Sequence, residues 1–308
     1  MVDFSVIIPI YNEELNIPTL VTRLRPVVEK TGMSYELVFV NDGSCDNSLQ
    51  LIKALAQADE HVRYIDFSRN FGHQVAVTAG IDKCKGNIIA IIDADLQDPP
   101  ELMEEMIALI KQGNEVVYAK RRSRKDKNVF KKFAYKSFYR LLARISNVEV
   151  PLDTGDFRVM TRKVADVLKN MPEQHKFLRG QIAWLGFKQT FVEYDRDVRA
   201  AGEPGYTYRK LFRLAFDGIT GFSNVPLRIA TIMGFVVSGI SLMLIFYALG
   251  SYLFFKGDLP KGWASLMIAV SFIGGVQLIC LGIIGEYISR LQTDIRNRPL
   301  YIINETNC

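Results

Sequence analysis

Short, largely apolar runs, each ending in a polar cluster, recur through the first part of the chain. They are Phe4 to Ile10, Tyr35 to Val40, Val62 to Phe67, Ile88 to Ile92 and Glu115 to Ala119. Runs of this length, rich in β-branched and aromatic residues, predict buried strands rather than helices. Helical stretches separate them: one capped by Asn16 and running through Arg25, one over about Asp46 to Ala58, one ending near Cys84, and Glu101 to Lys111 opened by Pro99 and Pro100. Asp153 to Met160 reads as a glycine turn into a strand, Leu168 to Phe187 as mixed helix and loop, and Lys188 to Tyr194 as a further strand. Strands alternating with helices predict an α/β domain with a mostly parallel sheet covered on both faces.

The pattern changes after Tyr194. Residues 195–208 are polar, with Gly202, Pro204 and Gly205, and read as a loop. Residues 206–222 set Leu211, Phe212, Leu214, Phe216 and Ile219 among Arg209, Lys210 and Arg213, the pattern of a helix lying in a membrane interface. Ile229 to Phe255 and Trp263 to Gly285 contain no charged residue. Each exceeds the roughly 20 residues that cross a bilayer. The short connection 256–262 makes them an antiparallel hairpin. The division expected is therefore an α/β domain over 1–205, a juxtamembrane amphipathic segment over 206–228, two transmembrane helices over 229–288 and a tail over 289–308.

Charge sets the orientation. Arg209, Lys210, Arg213 and Arg228 precede the first span, and Arg290, Arg296 and Arg298 follow the second. This excess at the outer ends places both termini in the cytoplasm of a multi-pass inner-membrane protein. The N-terminus is not read as a secretory signal: Asp3 comes early, and the run after it is short and broken by Pro9. A formal net charge of +5 suits an anionic leaflet. Cys45, Cys84, Cys280 and Cys308 show no metal or redox spacing and read as reduced thiols.

The chemistry lies where strands end. In a parallel sheet, the clusters Asn12/Glu13, Asp42/Asp46, Asp93/Asp95 and Arg121/Arg122 share one edge, where open α/β sheets bind ligands. Asp93, Asp95 and Asp98 would repel one another without a cation between them, and hard oxygen ligands suit Mg2+ or Mn2+ shared with a phosphate. Acidic groups centrally and basic groups beyond them fit a metal-bound diphosphate with a second anion nearby. No G-x-G-x-x-G follows the first strand and no Walker A sequence occurs, so the site reads as one for a nucleotide sugar, not a dinucleotide. Asp98 reads as a helix cap. His61, His73 and His175 read as structural or surface residues. Residues 127–147 form a basic amphipathic pattern that fits either a membrane-surface helix or one packed on the sheet.

Pro9-Ile10-Tyr11-Asn12-Glu13, Asn41-Asp42-Gly43-Ser44, Asp93-Ala94-Asp95 with Gln97, and Asp153-Thr154-Gly155-Asp156-Phe157-Arg158 together resemble family 2 glycosyltransferases. The closer likeness is to the polyprenyl-phosphate type, which includes dolichyl-phosphate mannose synthase and the bactoprenol glucosyltransferases. Gly285 to Arg290 and Arg298 to Tyr301 resemble the bactoprenol branch. The resemblance implies a GT-A fold, Rossmann-like, with interfacial helices and a C-terminal transmembrane hairpin. It also implies that Pro9, Tyr11 and Glu13 line the base and ribose, that Asp42 holds the uridine and that Asp93 faces the nucleotide. Asp95 and Gln97 would sit at the metal and diphosphate. Asp156 aligns with the family's candidate catalytic carboxylate, with Arg158 beside it. Arg122 matches a basic position near the lipid phosphate, and Arg121 and Lys132 would add to it. For Tyr11 and Glu13 a helix-start role competes, for Asp42 an Asx turn, and for Arg122 a solvated charge run. In one departure, Gly202-Glu203-Pro204-Gly205-Tyr206 stands where relatives carry Ser-Lys before the tyrosine. A contact from that lysine falls instead to Arg199 or Arg209.

The reaction implied is inverting transfer of a hexose, glucose first, from a UDP-sugar to undecaprenyl phosphate, with Mg2+ or Mn2+ as cofactor. Asp156 is left as base or orienting group. Competing readings are a GDP-mannose or UDP-amino-sugar donor, a nucleotidyltransferase, and a non-catalytic membrane subunit that binds nucleotide sugars. Nucleic acid is not an expected partner. Gly239, Gly274, Gly275 and Gly282 would let the spans pack closely in a homo-oligomer.

Overall fold

The computed structural model describes residues 2–122, 154–174, 176–195, 225–254, 262–296 and 298–308. The readings that concern Lys132, His175, Arg199, Arg209, residues 127–147 and residues 202–222 lie outside these residues.

Eight strands form one sheet in the order β7-β5-β6-β4-β1-β2-β3-β8. They are β1 (Phe4–Ile10), β2 (Tyr35–Asn41), β3 (Val62–Phe67), β4 (Ile88–Ile91), β5 (Val116–Arg121), β6 (Thr154–Thr161), β7 (Gln189–Tyr194) and β8 (Ile303–Thr306). β1 lies at the centre, parallel to β2 and β4, and every residue of it is buried. Burial on both faces explains its unbroken apolar run. Its side chains still alternate: Phe4, Val6, Ile8 and Ile10 join one core, and Ile7 joins the other.

The first core lies under α1 (Ile17–Lys30), α2 (Ser48–Ala58) and α4 (Met103–Lys111). The second lies under α3 (His73–Lys83), α5 (Arg162–Lys169) and α6 (Leu178–Trp184). Helix α1 passes the expected end at Arg25 and continues through Pro26, because Val27 and Val28 are buried and hold its last turns by packing. Helix α3 crosses β1 so closely that a Cβ on Gly80 would overlap Ile7 Cγ2.

Two strands run against the parallel set. β6 inserts between β4 and β5, antiparallel to both, with Arg158 opposite Ile91 on one side and Tyr118 on the other. Its amino end therefore lies at the edge where β1, β2, β3, β4 and β5 have their carboxyl ends. β8 was not legible as a strand: four residues near the chain end carry no alternation of their own. It forms by capping the open edge of β3, pairing Ile65 with Thr306 and Phe67 with Ile303. Tyr301 stacks on Phe67 at 5.1 Å and donates to Asp82 Oδ2 on α3 at 2.9 Å, while Ser68 N donates to Ile302 O at 3.0 Å.

The two long C-terminal helices are α7 (Val225–Phe254) and α8 (Trp263–Arg296), which pack on each other. Among the described residues one stretch, Phe272–Arg296, is long and apolar enough to cross a membrane, and Leu227–Val237 is a shorter apolar stretch. Many of their large apolar side chains are exposed, among them Phe235, Met243 and Leu278. Such a surface needs an apolar cover. Gln174 N donates to Asp294 Oδ1 at 3.1 Å, which ties the end of α8 to the α/β domain.

Alanine is the better helix former by roughly 1 kcal/mol. Gly80→Ala is nevertheless expected to destabilise the protein by about 1–3 kcal/mol, since stiff, buried Ile7 cannot move aside. A thermal unfolding midpoint equal to or above that of the unmodified protein would refute this packing.

Candidate active site

The strand-end clusters lie along one edge of the sheet, as their spacing predicts. β4 ends at Ile91, and Asp93, Asp95 and Gln97 are part-exposed while Ala94, Leu96 and Asp98 point inward. Within this stretch Leu96 takes a left-handed conformation, φ 59°. A branched, buried residue there stores strain of roughly 1–2 kcal/mol, of the kind that collects where a backbone must aim functional groups. Gln97 N donates to Asp95 Oδ1 at 3.2 Å.

Asp156, at the amino end of β6, meets this edge. Its Oδ1 accepts from Arg158 Nη2 and from Arg179 Nε, each at 3.0 Å. His73 Nε2 lies 3.4 Å from Asp156 Oδ2 and 3.6 Å from Asp93 Oδ1. His73 opens α3 and Arg179 lies in α6, so four elements converge on this group. Burial alone would raise the Asp156 carboxyl, but Arg179, the hydrogen bond from His73 and Arg158 hold it well below the usual carboxylate range. Burial would lower the His73 imidazole, but the bond to Asp156 and the charges of Asp93 and Asp156 push it up to about 9. Asp93 is raised to about 6, chiefly by burial; His73 opposes the shift and Asp156, Asp98 and Asp95 add to it.

His73, Asp93 and Asp156 each offer a ligand atom within 4.8 Å of the others. Of these atoms, Asp93 Oδ1 is buried without a hydrogen-bond partner among the described residues, whereas the oxygens of Asp156 already face three donors. A carboxylate oxygen without a hydrogen bond, with only His73 Nε2 at 3.6 Å, fits a hard divalent cation, which prefers oxygen ligands. The residues present therefore fit a Mg2+ or Mn2+ ion at Asp93, which the sequence assigned to the nucleotide, while the expected ligands Asp95 and Gln97 are part-exposed beyond β4.

The β1 and β2 ends are laced together. Asn12 N donates to Ser44 Oγ, Glu13 N to Ser48 Oγ and Cys45 N to Asn12 Oδ1. Glu13 Oε2 accepts from Asn16 Nδ2, and Asn16 makes no side-chain cap bond. Tyr11 is exposed beyond β1, and Pro9 is buried opposite Val40. Asp42 makes no local Asx turn. It accepts from Phe71 N at 2.6 Å and from Gly72 N at 2.9 Å, and so holds the loop that leads to His73. Gly43, with φ +65°, lies so close to that loop that a Cβ would stand 2.5 Å from the Arg69 carbonyl carbon.

Two expectations are corrected. Asp98 caps no helix: it is buried, accepts a hydrogen bond from the Tyr194 hydroxyl and lies 3.6 Å from Arg121 Nη2. His73 is not a peripheral residue but stands between the two central carboxylates. Arg121 also donates to Tyr194 Oη at 3.1 Å, whereas Arg122 points outward within 4.0 Å of Glu193 and 3.9 Å of Asp195. His73 had a readable signal, since it follows the polar cluster that ends β3. Arg179 had none, because only the packing of α6 brings it to Asp156.

A group raised above its unfolded pKa stabilises most at low pH. The His73 contribution is thus complete below about pH 6.5 and is lost as pH rises through about 9. The Asp93 contribution disappears earlier, as pH rises through about 6. In metal-free buffer the unfolding midpoint should fall between pH 6.5 and 9, and His73→Gln should flatten that fall. Identical slopes in the two proteins would exclude the ion pairs.

Comparison with known proteins finds a family and near full-length relatives. Residues 5–168 match the family model of glycosyl transferase family 2, and residues 225–291 match that of the GtrB C-terminal hairpin. The uncharacterized glycosyltransferase YkcC of Bacillus subtilis (strain 168) is 48% identical over 305 residues, covering 99% of this chain and 94% of its own. The bactoprenol glucosyl transferase of Shigella phage SfV is 39% identical over 299 residues, covering 97% of both. A solved structure of glucosyl-3-phosphoglycerate synthase from Mycobacterium tuberculosis covers 71% of this chain and 78% of its own, at 18% identity and a TM-score of 0.47. The family match together with near full-length relatives well above 30% identity shows that the chain belongs to glycosyl transferase family 2.

Proposed function

We propose that this glycosyltransferase moves glucose from UDP-glucose to the phosphate of a polyprenyl lipid at the inner membrane, with inversion. The observation that carries the reading is the convergence of Asp93 and Asp95 with the His73–Asp156–Arg158–Arg179 cluster at one sheet edge, in a chain that continues into an apolar helical hairpin. Relatives named bactoprenol glucosyl transferase, 39% identical over nearly the whole chain, support the acceptor and the sugar. Residues 1–205 would be the cytoplasmic catalytic domain, 206–228 the juxtamembrane segment, 229–288 two membrane spans and 289–308 a cytoplasmic tail, with copies associating through the glycines of the spans.

The acceptor explains the chemistry of the site. A phosphate monoester has a second pKa of about 6, so its attacking oxygen is largely deprotonated in the cytoplasm. That oxygen forms a bond to the anomeric carbon as the bond from this carbon to the diphosphate oxygen breaks, and UDP leaves with the electron pair. Attack opposite the leaving group inverts the centre. No strong base is required, which suits Asp156: a carboxylate satisfied by two arginines and a histidine is a poor proton acceptor but a firm anchor. Tyr11 and Glu13 would face the nucleoside beside the laced loops, and Asp42 would shape the same floor. A divalent ion on Asp93, Asp95 and Gln97 would neutralise the leaving diphosphate when bound. The hairpin would hold the site at the leaflet where the lipid phosphate lies, raising its local concentration.

Purified full-length protein with Mg2+, UDP-glucose and undecaprenyl phosphate should form a glycolipid. EDTA should stop the reaction and added Mg2+ or Mn2+ should restore it. Asp95→Asn should lower turnover by about a hundredfold, the loss that follows removal of one charge-stabilising group. No glycolipid with any common nucleotide sugar would sink the reading, and full activity in EDTA would remove the metal.

A further inference from the structure

The loop between β3 and α3, residues 68–72, sets where His73 stands. Ser68, Arg69 and Asn70 are exposed, and Gly72, with φ 104°, turns the chain into the helix that His73 opens. A short exposed loop opens at little cost unless other segments hold it. Asp42 holds it from β2, through Phe71 N and Gly72 N. The last residues of the chain supply further holds, and nothing in the chemistry at the strand ends accounts for them.

These holds lie on both faces of the sheet. On the α3 face, Tyr301 stacks on Phe67 with ring centres 5.1 Å apart, and Phe67 meets Phe71 edge-on at 5.6 Å. Three rings thus run from the tail, through the strand end, into the loop. The Tyr301 hydroxyl donates to Asp82 Oδ2 at 2.9 Å, so one side chain joins the strand that enters the loop to the helix that leaves it. On the other face, Asn304 Nδ2 donates to Asp66 Oδ2 at 2.9 Å. Asn41, the neighbour of Asp42, donates to Asp66 Oδ1 at 2.8 Å, and both Asn41 and Asp66 are buried. At the sheet edge itself, Ser68 N, the first amide of the loop, donates to Ile302 O at 3.0 Å.

We propose that the tail clamps loop 68–72, and that Tyr301 is a positioning residue for glycosyl transfer, acting through the loop and not on a substrate. This rests on the function proposed above and adds to it a residue remote from the strand-end clusters. The clamp keeps His73 between Asp93 and Asp156, 3.6 Å and 3.4 Å away. Stacked rings contribute beyond the area they bury, and the hydroxyl adds a directional bond, so Tyr301 biases the loop toward its closed form. Molecules with the loop open lack the assembled edge, and the transfer rate falls with the fraction closed. The β1 and β2 ends that would face the nucleoside are laced by their own bonds, from Asn12 N to Ser44 Oγ and from Glu13 N to Ser48 Oγ, and do not need the tail. Tyr301 comes shortly after α8, so the clamp also fixes the helical hairpin to this edge.

The test is hydrogen–deuterium exchange of the full-length protein in detergent micelles, read at residues 68–73 and at β1. It is paired with kcat for glycolipid formation from UDP-glucose and undecaprenyl phosphate, and with the affinity for UDP. Tyr301→Ala should speed exchange at residues 68–73 about tenfold, leave β1 unchanged, lower kcat about tenfold and keep UDP affinity within about twofold. Tyr301→Phe keeps the ring and loses the bond to Asp82, and should fall between Tyr301→Ala and the unmodified protein. Asn304→Ala should act in the same direction. Ile302→Ala removes an exposed side chain and leaves the carbonyl that Ser68 uses, so it should match the unmodified protein. Unchanged exchange at residues 68–73 in Tyr301→Ala, or an equal rise at β1, would overturn the clamp. Faster exchange with unchanged kcat would overturn the positioning role, as would an equal loss in Ile302→Ala. If Tyr301→Ala does not fold, Tyr301→Phe and Asn304→Ala are read in the same way. Failure of the unmodified protein to form glycolipid overturns the function proposed above, and exchange at residues 68–73 then decides the clamp by itself.

Discussion

Carboxylates crowded at one end of a sheet repel one another unless cations stand among them, and the architecture of this edge answers that constraint. Asp98 is buried against Arg121 and Tyr194. Asp156 is ringed by Arg158, Arg179 and His73. Of these three carboxylates, Asp93 keeps a buried oxygen without a hydrogen-bond partner among the described residues. Each matched pair fixes a different strand end in place. Breaking one would leave a partly buried charge uncompensated, which is more damaging than never having buried the pair. That oxygen, 3.6 Å from His73 Nε2 but without a hydrogen bond, is where an incoming cation gains most.

The same edge is braced from outside the α/β domain. β3 would otherwise present an open strand beside the loop that carries His73. The tail after α8 closes it, with Asn304 Nδ2 donating to Asp66 Oδ2 and Asn41 Nδ2 to Asp66 Oδ1. Tyr301 reaches from this tail to both Phe67 and Asp82, and so bridges β3 and α3. The apolar helices and the acidic edge of the sheet are thereby joined through a few residues that belong to neither.

Much of the fold and part of the site were legible in the sequence. Buried parallel strands leave continuous apolar runs, and polar clusters at their ends mark the binding edge. Asp93 and Asp95 could thus be singled out, and Asp156 through the resemblance of its motif to family 2 glycosyltransferases. Asp98 was misread because its neighbours in sequence, Pro99 and Pro100, signal a helix start, whereas its partners come from β5 and β7. His73 follows the polar cluster that ends β3, but it was read as structural or surface because no carboxylate or cysteine stands near it in the sequence. Arg179 was invisible, since its partner is 23 residues away along the chain.

The chain's own pattern determined the strands, the covering helices, the apolar hairpin and the acidic strand ends, because those depend on local periodicity and composition. Tertiary structure decided the antiparallel insertion of β6, the addition of β8 and the assembly of Asp156 with His73 and Arg179. These follow from pairing and charge balance between segments far apart in sequence, which no local pattern encodes.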